Sequence, residues 1–333
     1  MLISIVIAAA TAWGTLAIYY SNLPGAELRK ILAAVFAAFG VAMLGWYLLS
    51  VKRAWPVVIF SLLFIFLVAW WSTIPPRQDR DWAAEYAKPA YATINGDLVT
   101  IHNIRNFDYR TETDFTPRYY DKTFDLTKLD SVDVIASYWM GDAIAHIFLS
   151  FGFSGKDFLA ISIETRRERH ESYSTVAGFF KQYEVFYVVA DERDLIRLRT
   201  NYRKDPPEDV YLYRTRAPAA NARRLFLDYI REINSLAEKP EFYNALTTNC
   251  TTSILTHTRV NQGGLPLSWK VLLSGYVPQY LYEREGIDTR LPFEELKRRS
   301  HINAAAQGAD QAPDFSQRIR AGLPARPPKL ATP

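Results

Sequence analysis

Three stretches near the N-terminus, residues 2–20, 31–50 and 56–74, each run the length of a membrane crossing without a charged side chain. A helix needs roughly 20 apolar residues to cross ~30 Å of hydrocarbon, so each stretch predicts a transmembrane helix. Tyr19 and Tyr20, Trp46 and Tyr47, and Trp70 and Trp71 fall near their ends, where amphipathic rings prefer the interface. The first stretch lacks a basic leader and a small-x-small cleavage site, so it reads as a span rather than a signal peptide. From about Asp79 the pattern becomes that of a mixed globular domain. Period-two alternation over 143–151, 158–164, 184–190 and 210–213 predicts strands. Leu225, Phe226, Tyr229, Ile230 and Ile233 line one face of a helix expected over 219–238, after a Pro218 suited to a first turn. A shorter helix is predicted from near Asn249 to about Val260. From 304 to 333 the composition turns to Ala, Gln, Gly and Pro, and the segment reads as a disordered tail. The expected organisation is a membrane anchor over 1–76, a folded domain over 79–303 and that tail.

Charge divides the chain in the same way. The net charge is +4, from 39 Lys+Arg and 35 Asp+Glu, and the anchor carries +3 of it through Glu27, Arg29, Lys30, Lys52 and Arg53. The globular part is close to neutral, which gives no support to a nucleic-acid partner, since phosphate binding needs a basic face. Counting basic residues in the loops leaves the orientation open: Lys52 and Arg53 argue for a domain outside the cell, while Arg29, Lys30, Arg77 and Arg80 argue for the reverse. A single cysteine excludes an internal disulfide framework, and histidines at 102, 146, 170, 257 and 301 show no zinc-ligand spacing, so neither a metal nor a cofactor is expected.

Chemistry therefore has one thiol to work with. Cys250 follows Asn249, a good N-cap, and would be the first residue of its helix, where unpaired N–H groups and the helix dipole lower a thiol pKa that is normally ~8.5. The alternative is a small buried hydrophobe. A base is available in His146, set in a strand-like run of apolar residues. The turn signal at 154–157 then leads to a second strand, and a hairpin centred on Gly155 places His146 opposite Glu164, with Cβ atoms ~4.5–5.5 Å apart. An even-numbered loop would bring Thr165 opposite instead. The expected set is thus Cys250 as nucleophile, His146 as base and Glu164 as orienter, with the oxyanion held by the Cys250 N–H and a donor from Asn249. His257 is two turns along the same helix, too far for direct proton transfer. Arg193, Arg197, Arg199 and Arg203 read as a solvated helix face, with a phospholipid headgroup as the alternative ligand. Tyr276, Tyr280, Tyr282 and Trp269 line either an acyl groove or the core.

The motifs RNFDYR at 105–110, IAHIFLSFGF at 144–153, SIETRRE at 162–168, DERD at 191–194 and FYNALTTNCTT at 242–252 together resemble the Lnb N-terminal periplasmic domain family over roughly residues 95 to 290. The resemblance implies an α+β papain-like domain with an antiparallel sheet, related to the permuted NlpC and lecithin:retinol acyltransferase group, with His146, Glu164 and Cys250 in matching positions. It also implies a multi-pass protein of the bacterial inner membrane whose domain is periplasmic. The family's best-understood members resemble lipoprotein N-acyltransferases, which move a fatty acyl chain from a phospholipid to the amino group of a lipoprotein's N-terminal cysteine. The function expected here is a membrane-anchored cysteine acyltransferase or hydrolase acting on lipid esters, with N-acylation of lipoproteins through an acyl-cysteine as its narrower form. A peptidoglycan amidase or peptidase and a non-enzymatic envelope binding module are the alternatives.

Overall fold

The computed structural model describes residues 1–330. The three apolar stretches form helices α1 (Leu2–Tyr19), α2 (Ala26–Leu49) and α3 (Ala54–Ser72), each long and apolar enough to cross a membrane. Gly14 and Gly40 sit where α1 meets its neighbours: a Cβ at Gly14 would strike Phe36 and Leu67, and one at Gly40 would strike Thr11. Small residues at such crossings let backbones approach closely where lipid supplies no hydrophobic drive.

The domain is built on strands β1 (Tyr91–Asn95), β2 (Leu98–Arg105), β3 (Asp108–Tyr109), β4 (Phe115–Thr116), β5 (Tyr119–Asp125), β6 (Leu129–Tyr138), β7 (Ala145–Phe153), β8 (Asp157–Arg166), β9 (Glu184–Ala190) and β10 (Asp209–Arg214). One sheet runs β1-β2-β9-β8-β7-β6-β10, with β5 beside β2, while β3 and β4 form a separate ribbon. Every pairing is antiparallel except the single parallel contact of β2 with β9 at Arg105 and Ala190. The four strands predicted from alternation correspond to β7, β8, β9 and β10.

Helices cover both faces. These are α4 (Glu192–Arg197), α5 (Ala219–Glu238), α6 (Cys250–Thr258), α7 (Trp269–Leu272), α8 (Val277–Glu283), α9 (Phe293–Ser300), α10 (Asn303–Gly308) and α11 (Phe315–Ala321). Because successive strand residues point to opposite faces, Ile147, Leu149, Phe151 and Phe153 pack toward Phe226, Tyr229 and Ile230 of α5. Phe148 points the other way, into a second core with Leu195 and Ile196 of α4 and with Phe315 and Ile319 of α11. The central strands β6 to β9 are buried on both sides.

The disordered tail expected from residue 304 onward is not what forms. Helices α10 and α11 close the second core, with Ala306 and Phe315 fully buried and Ile319 almost so. Arg320 reaches inward to Glu192 at 2.7 Å and Asp133 at 3.0 Å, and its guanidinium lies 3.8 Å from the Phe158 ring centroid. Two short helices display no readable periodicity, and three anchors in a polar, proline-bearing stretch are too few to shift its composition. Residues 331–333 of the expected tail lie outside the described residues.

The domain rests directly on the membrane helices. Lys181 Nζ donates to the carbonyls of Trp71, Ser72 and Ile74 at 3.0, 3.1 and 2.9 Å, placing a cation where the end of α3 is electronegative. Beside it, Phe180 stacks on Tyr20 with ring centroids 5.7 Å apart. Removing Arg320 leaves the buried Glu192 carboxylate without its cation and Asp133 with Arg326 alone, so Arg320→Ala should lower stability by about 3–5 kcal/mol, read by tryptophan fluorescence during denaturation in detergent. An unchanged denaturation midpoint would mean that the C-terminal helices are not docked.

Candidate functional site

Cys250 opens α6 as the N-cap argument requires. The Asn249 Oδ1 accepts from the N–H groups of Thr251 and Thr252 at 3.0 and 2.9 Å, and the Thr252 hydroxyl accepts from the Asn249 N–H at 3.0 Å. This reciprocal cap fixes the first turn. The Asn249 amide also donates through Nδ2 to the Ala245 carbonyl at 2.7 Å. The Oδ1 is taken by the cap and one Nδ2 hydrogen by Ala245, so Asn249 positions the first turn and keeps one Nδ2 hydrogen for the part expected of it as an oxyanion donor. The Cys250 N–H, at the first helical position, has no intrahelical acceptor and remains for that role.

The hairpin register is the one centred on Gly155. Leu149 pairs with Ile161 and Phe153 with Asp157, and the same register continued would set His146 against Glu164. The ladder stops at Leu149, however, and beyond it β7 and β8 separate. His146 then pairs only with Ser137 of β6, and the neighbouring Ile147 N–H lies near enough to the Cys250 sulfur to help lower its pKa. The helix start thus meets the sheet where two strands part. Across the gap His146 Nε2 reaches Glu164 Oε1 at 3.1 Å.

Ser162 completes this contact. It lies two residues before Glu164 on the same face of β8, and its hydroxyl sits 2.6 Å from His146 Nε2 while donating to Glu164 Oε1 at 2.7 Å. A hydroxyl that gives its proton to the carboxylate accepts from the imidazole, so Nε2 carries a hydrogen. Nδ1 is the nitrogen left for the Cys250 sulfur, and the two groups lie close enough to shift each other's ionisation. On the far side Arg199 donates to Glu164 Oε1 at 2.8 Å.

Arg199 overturns the reading of the four arginines as a solvated face. Arg197 and Arg199 are both 3% exposed. After α4 the chain widens into a π turn, Leu198–Tyr202, that changes which positions face inward, so no ordinary helical wheel finds them. Arg199 also faces Glu208, itself bound to Arg203 at 2.5 Å, and stacks over Phe148. The helix bearing it is tied to β2 by a buried pair in which Arg105 reaches Asp194 at 2.7 Å. Ser162 had a legible signal, its alternation with Glu164; Arg199 had none.

The electrostatics follow from these partners. Burial opposes the charge on His146, but the Glu164 carboxylate and the thiolate outweigh it and raise the imidazolium pKa to about 9. Burial likewise opposes ionisation of Glu164, yet His146, Arg199 and Ser162 hold it well below the usual carboxylate range. The Cys250 thiol is pushed up by burial and pulled further down by His146 and the Ile147 N–H, so its pKa is lowered. All three shifts favour the same state, a thiolate, an imidazolium and a carboxylate in a row. The His146 and Glu164 side chains are 15% and 18% exposed, shielded enough to interact strongly and open enough to meet a substrate.

The other predicted residues separate. Tyr280 is buried, bonds the Pro266 carbonyl at 2.7 Å and lines an apolar cavity of about 220 Å³ beside α6. Tyr276 is not among that cavity's lining residues; it packs on Trp269, which is exposed, with centroids 5.3 Å apart. Tyr282 donates to the Leu291 carbonyl. His257 is buried away from the thiol between Tyr187 and Asp228.

Residues 115–275, which include Cys250, His146, Glu164, Ser162 and Arg199, match the family described as Lnb N-terminal periplasmic domain. No curated protein and no solved structure matches the chain. With three membrane-length helices, the match indicates a membrane protein with a periplasmic domain.

The pKa directions set the pH response of the thiol. The ion pair requires Cys250 deprotonated and His146 protonated, so the lowered thiol pKa favours it and it is lost as pH rises through about 9. Glu164→Gln removes the charge that opposes burial at His146. The upper limb of an iodoacetate alkylation profile, where the anionic reagent loses the attraction of the imidazolium, should then fall by more than about one pH unit. A profile that stays in place would show that Glu164 does not set the ionisation of His146.

Proposed function

We propose that this protein is a membrane-anchored cysteine acyltransferase or hydrolase that takes an acyl group from a lipid ester. The observation that carries the reading is the ionised row of Cys250, His146 and Glu164 at the start of α6, because a thiolate beside a protonated imidazole is both a nucleophile and an acid for the leaving group. The thiolate sulfur attacks the ester carbonyl carbon, and the resulting oxyanion is met by the Cys250 N–H. Collapse breaks the carbon–oxygen bond, His146 gives its Nδ1 proton to the departing alkoxide, and an acyl-thioester remains on Cys250. An amine or water then attacks the thioester, His146 takes the incoming proton, and the thiolate leaves. Glu164 keeps the imidazole in place in both steps and holds its positive charge. Ser162 and Arg199 position Glu164.

The setting suits an ester that resides in a bilayer. The loop that carries Phe180 and Lys181 onto the membrane helices also bonds the approach to the nucleophile, with the Ala245 N–H donating to the Gly178 carbonyl at 2.7 Å. Exposed Val176 and Phe179 lie on that loop, Leu246 on the approach, and Trp269, Leu272 and Leu273 on or just after α7. Thr251 bonds the Val271 carbonyl at 2.7 Å, so α7 adjoins the first turn of α6. An apolar rim beside the helices lets a two-chain lipid present its ester while remaining among its neighbours. In this reading the domain is a permuted papain-like fold. It faces the periplasm from a bacterial inner membrane, and the loop bearing Lys52 and Arg53, at the opposite end of the helices, is cytoplasmic. A lipoprotein amine is the acceptor that fits the family resemblance.

The test is intact-protein mass spectrometry after exposure of the purified protein to phospholipid vesicles. An acyl adduct should form on Cys250 and be absent in His146→Ala. Release of stem peptides from muropeptides, with no adduct from lipid, would contradict the reading and favour an amidase.

A further inference from the structure

The cavity beside α6 has no part in proton transfer, and neither Cys250 nor His146 lines it, yet the chain neighbours of both do. Ile147, next in the chain after His146, and Thr251, next after Cys250, each contribute to its wall. From there it follows α6 to Thr258 and Gly264, and it follows β6 as far as Val132. Ile147 pairs with Ala136, four residues up the strand from Val132, which at ~3.4 Å per residue makes the cavity about 14 Å long in that direction. Its walls are largely hydrocarbon, from Val134, Leu149, Leu225, Ile254, Val277 and Leu281. Such a lining offers few partners to a peptide, a sugar or ordered water, and its occupant must be apolar and elongated.

At the Val132 end the C-terminal strap lies against the cavity, with Leu330 in its lining. There Thr215 bonds the Val132 carbonyl at 2.7 Å, and Leu330 lies against the cavity with its N–H on the Arg216 carbonyl at 2.9 Å. The strap is pinned along its length: Arg326 pairs with Asp133 at 2.6 Å, and Arg290 and Arg216 donate to the carbonyls of Ala325 and Pro328. A chain fixed at Cys250 and laid along α6 would meet Leu330 last.

We propose that this cavity holds the hydrocarbon tail of the acyl group carried on Cys250, and that Leu330 is its end wall and limits the chain length accepted. The assignment rests on the acyl-thioester reading, and its test separates the two. Full-length protein is offered a mixture of p-nitrophenyl esters from butanoyl to stearoyl, and the Cys250 adducts are compared by intact mass. Leu225→Trp, which fills the cavity, should lower the palmitoyl-to-butanoyl adduct ratio at least about tenfold, and Leu330→Ala should raise the stearoyl-to-palmitoyl ratio about threefold. In parallel, Cys250→Ser protein should bind cis-parinaric acid saturably, and adding Leu225→Trp should abolish that binding. Adducts whose chain-length profile neither variant changes would overturn the cavity assignment and leave the acyl-enzyme standing. Parinaric acid binding that Leu225→Trp abolishes, without an adduct from any ester, would support the cavity as an alkyl site and sink the acyl-enzyme. Absence of parinaric acid binding to Cys250→Ser would overturn the cavity assignment on its own.

Discussion

The site depends on keeping one carboxylate charged at a place that water only partly reaches. Glu164 faces the imidazole at 3.1 Å, and alone its charge would be costly so far from solvent. Arg199 and Ser162 satisfy it, and Glu208 with Arg203 steadies Arg199 in turn. With Glu164 ionised, His146 stays protonated up to about 9 and the thiol is drawn to its anion. Each charge in the row is explained by the next. The outer members belong to a π turn on one face of the sheet, and the nucleophile to a helix that meets the sheet where β7 and β8 part.

That geometry also explains the order of the fold around it. The central strands are covered on both sides, and each half of the site lies on one face: α5 and α6 pack on the thiol side, and α4 with the C-terminal helices on the side of Arg199. Arg320 and its two carboxylates fasten the last helix to the second core. Lys181 and Phe180 fasten the domain to the membrane helices, on a loop whose other neighbour is the segment leading into Cys250.

Much of this was legible in the residues. The lengths of the three apolar stretches, the amphipathic face of α5, the cap at Asn249 and the turn centred on Gly155 each rest on local rules, and local rules read well from one chain. The register from Gly155 to His146 and Glu164 was right as arithmetic, although the contact is made across separated strands rather than within a ladder. What escaped was non-local or irregular. Arg199 points inward because a π turn changes the helical phase. The last helices hold because Arg320 finds partners over a hundred positions earlier in the chain.

The account turns on an ionised sulfur beside a protonated imidazole, and the single cysteine makes that directly measurable. The far-ultraviolet absorbance of the thiolate, taken as the difference between wild type and Cys250→Ser across pH, should already be present at neutral pH and vanish on acidification. A signal that emerges only near the ordinary thiol pKa of ~8.5, or that His146→Ala leaves unchanged, would contradict it.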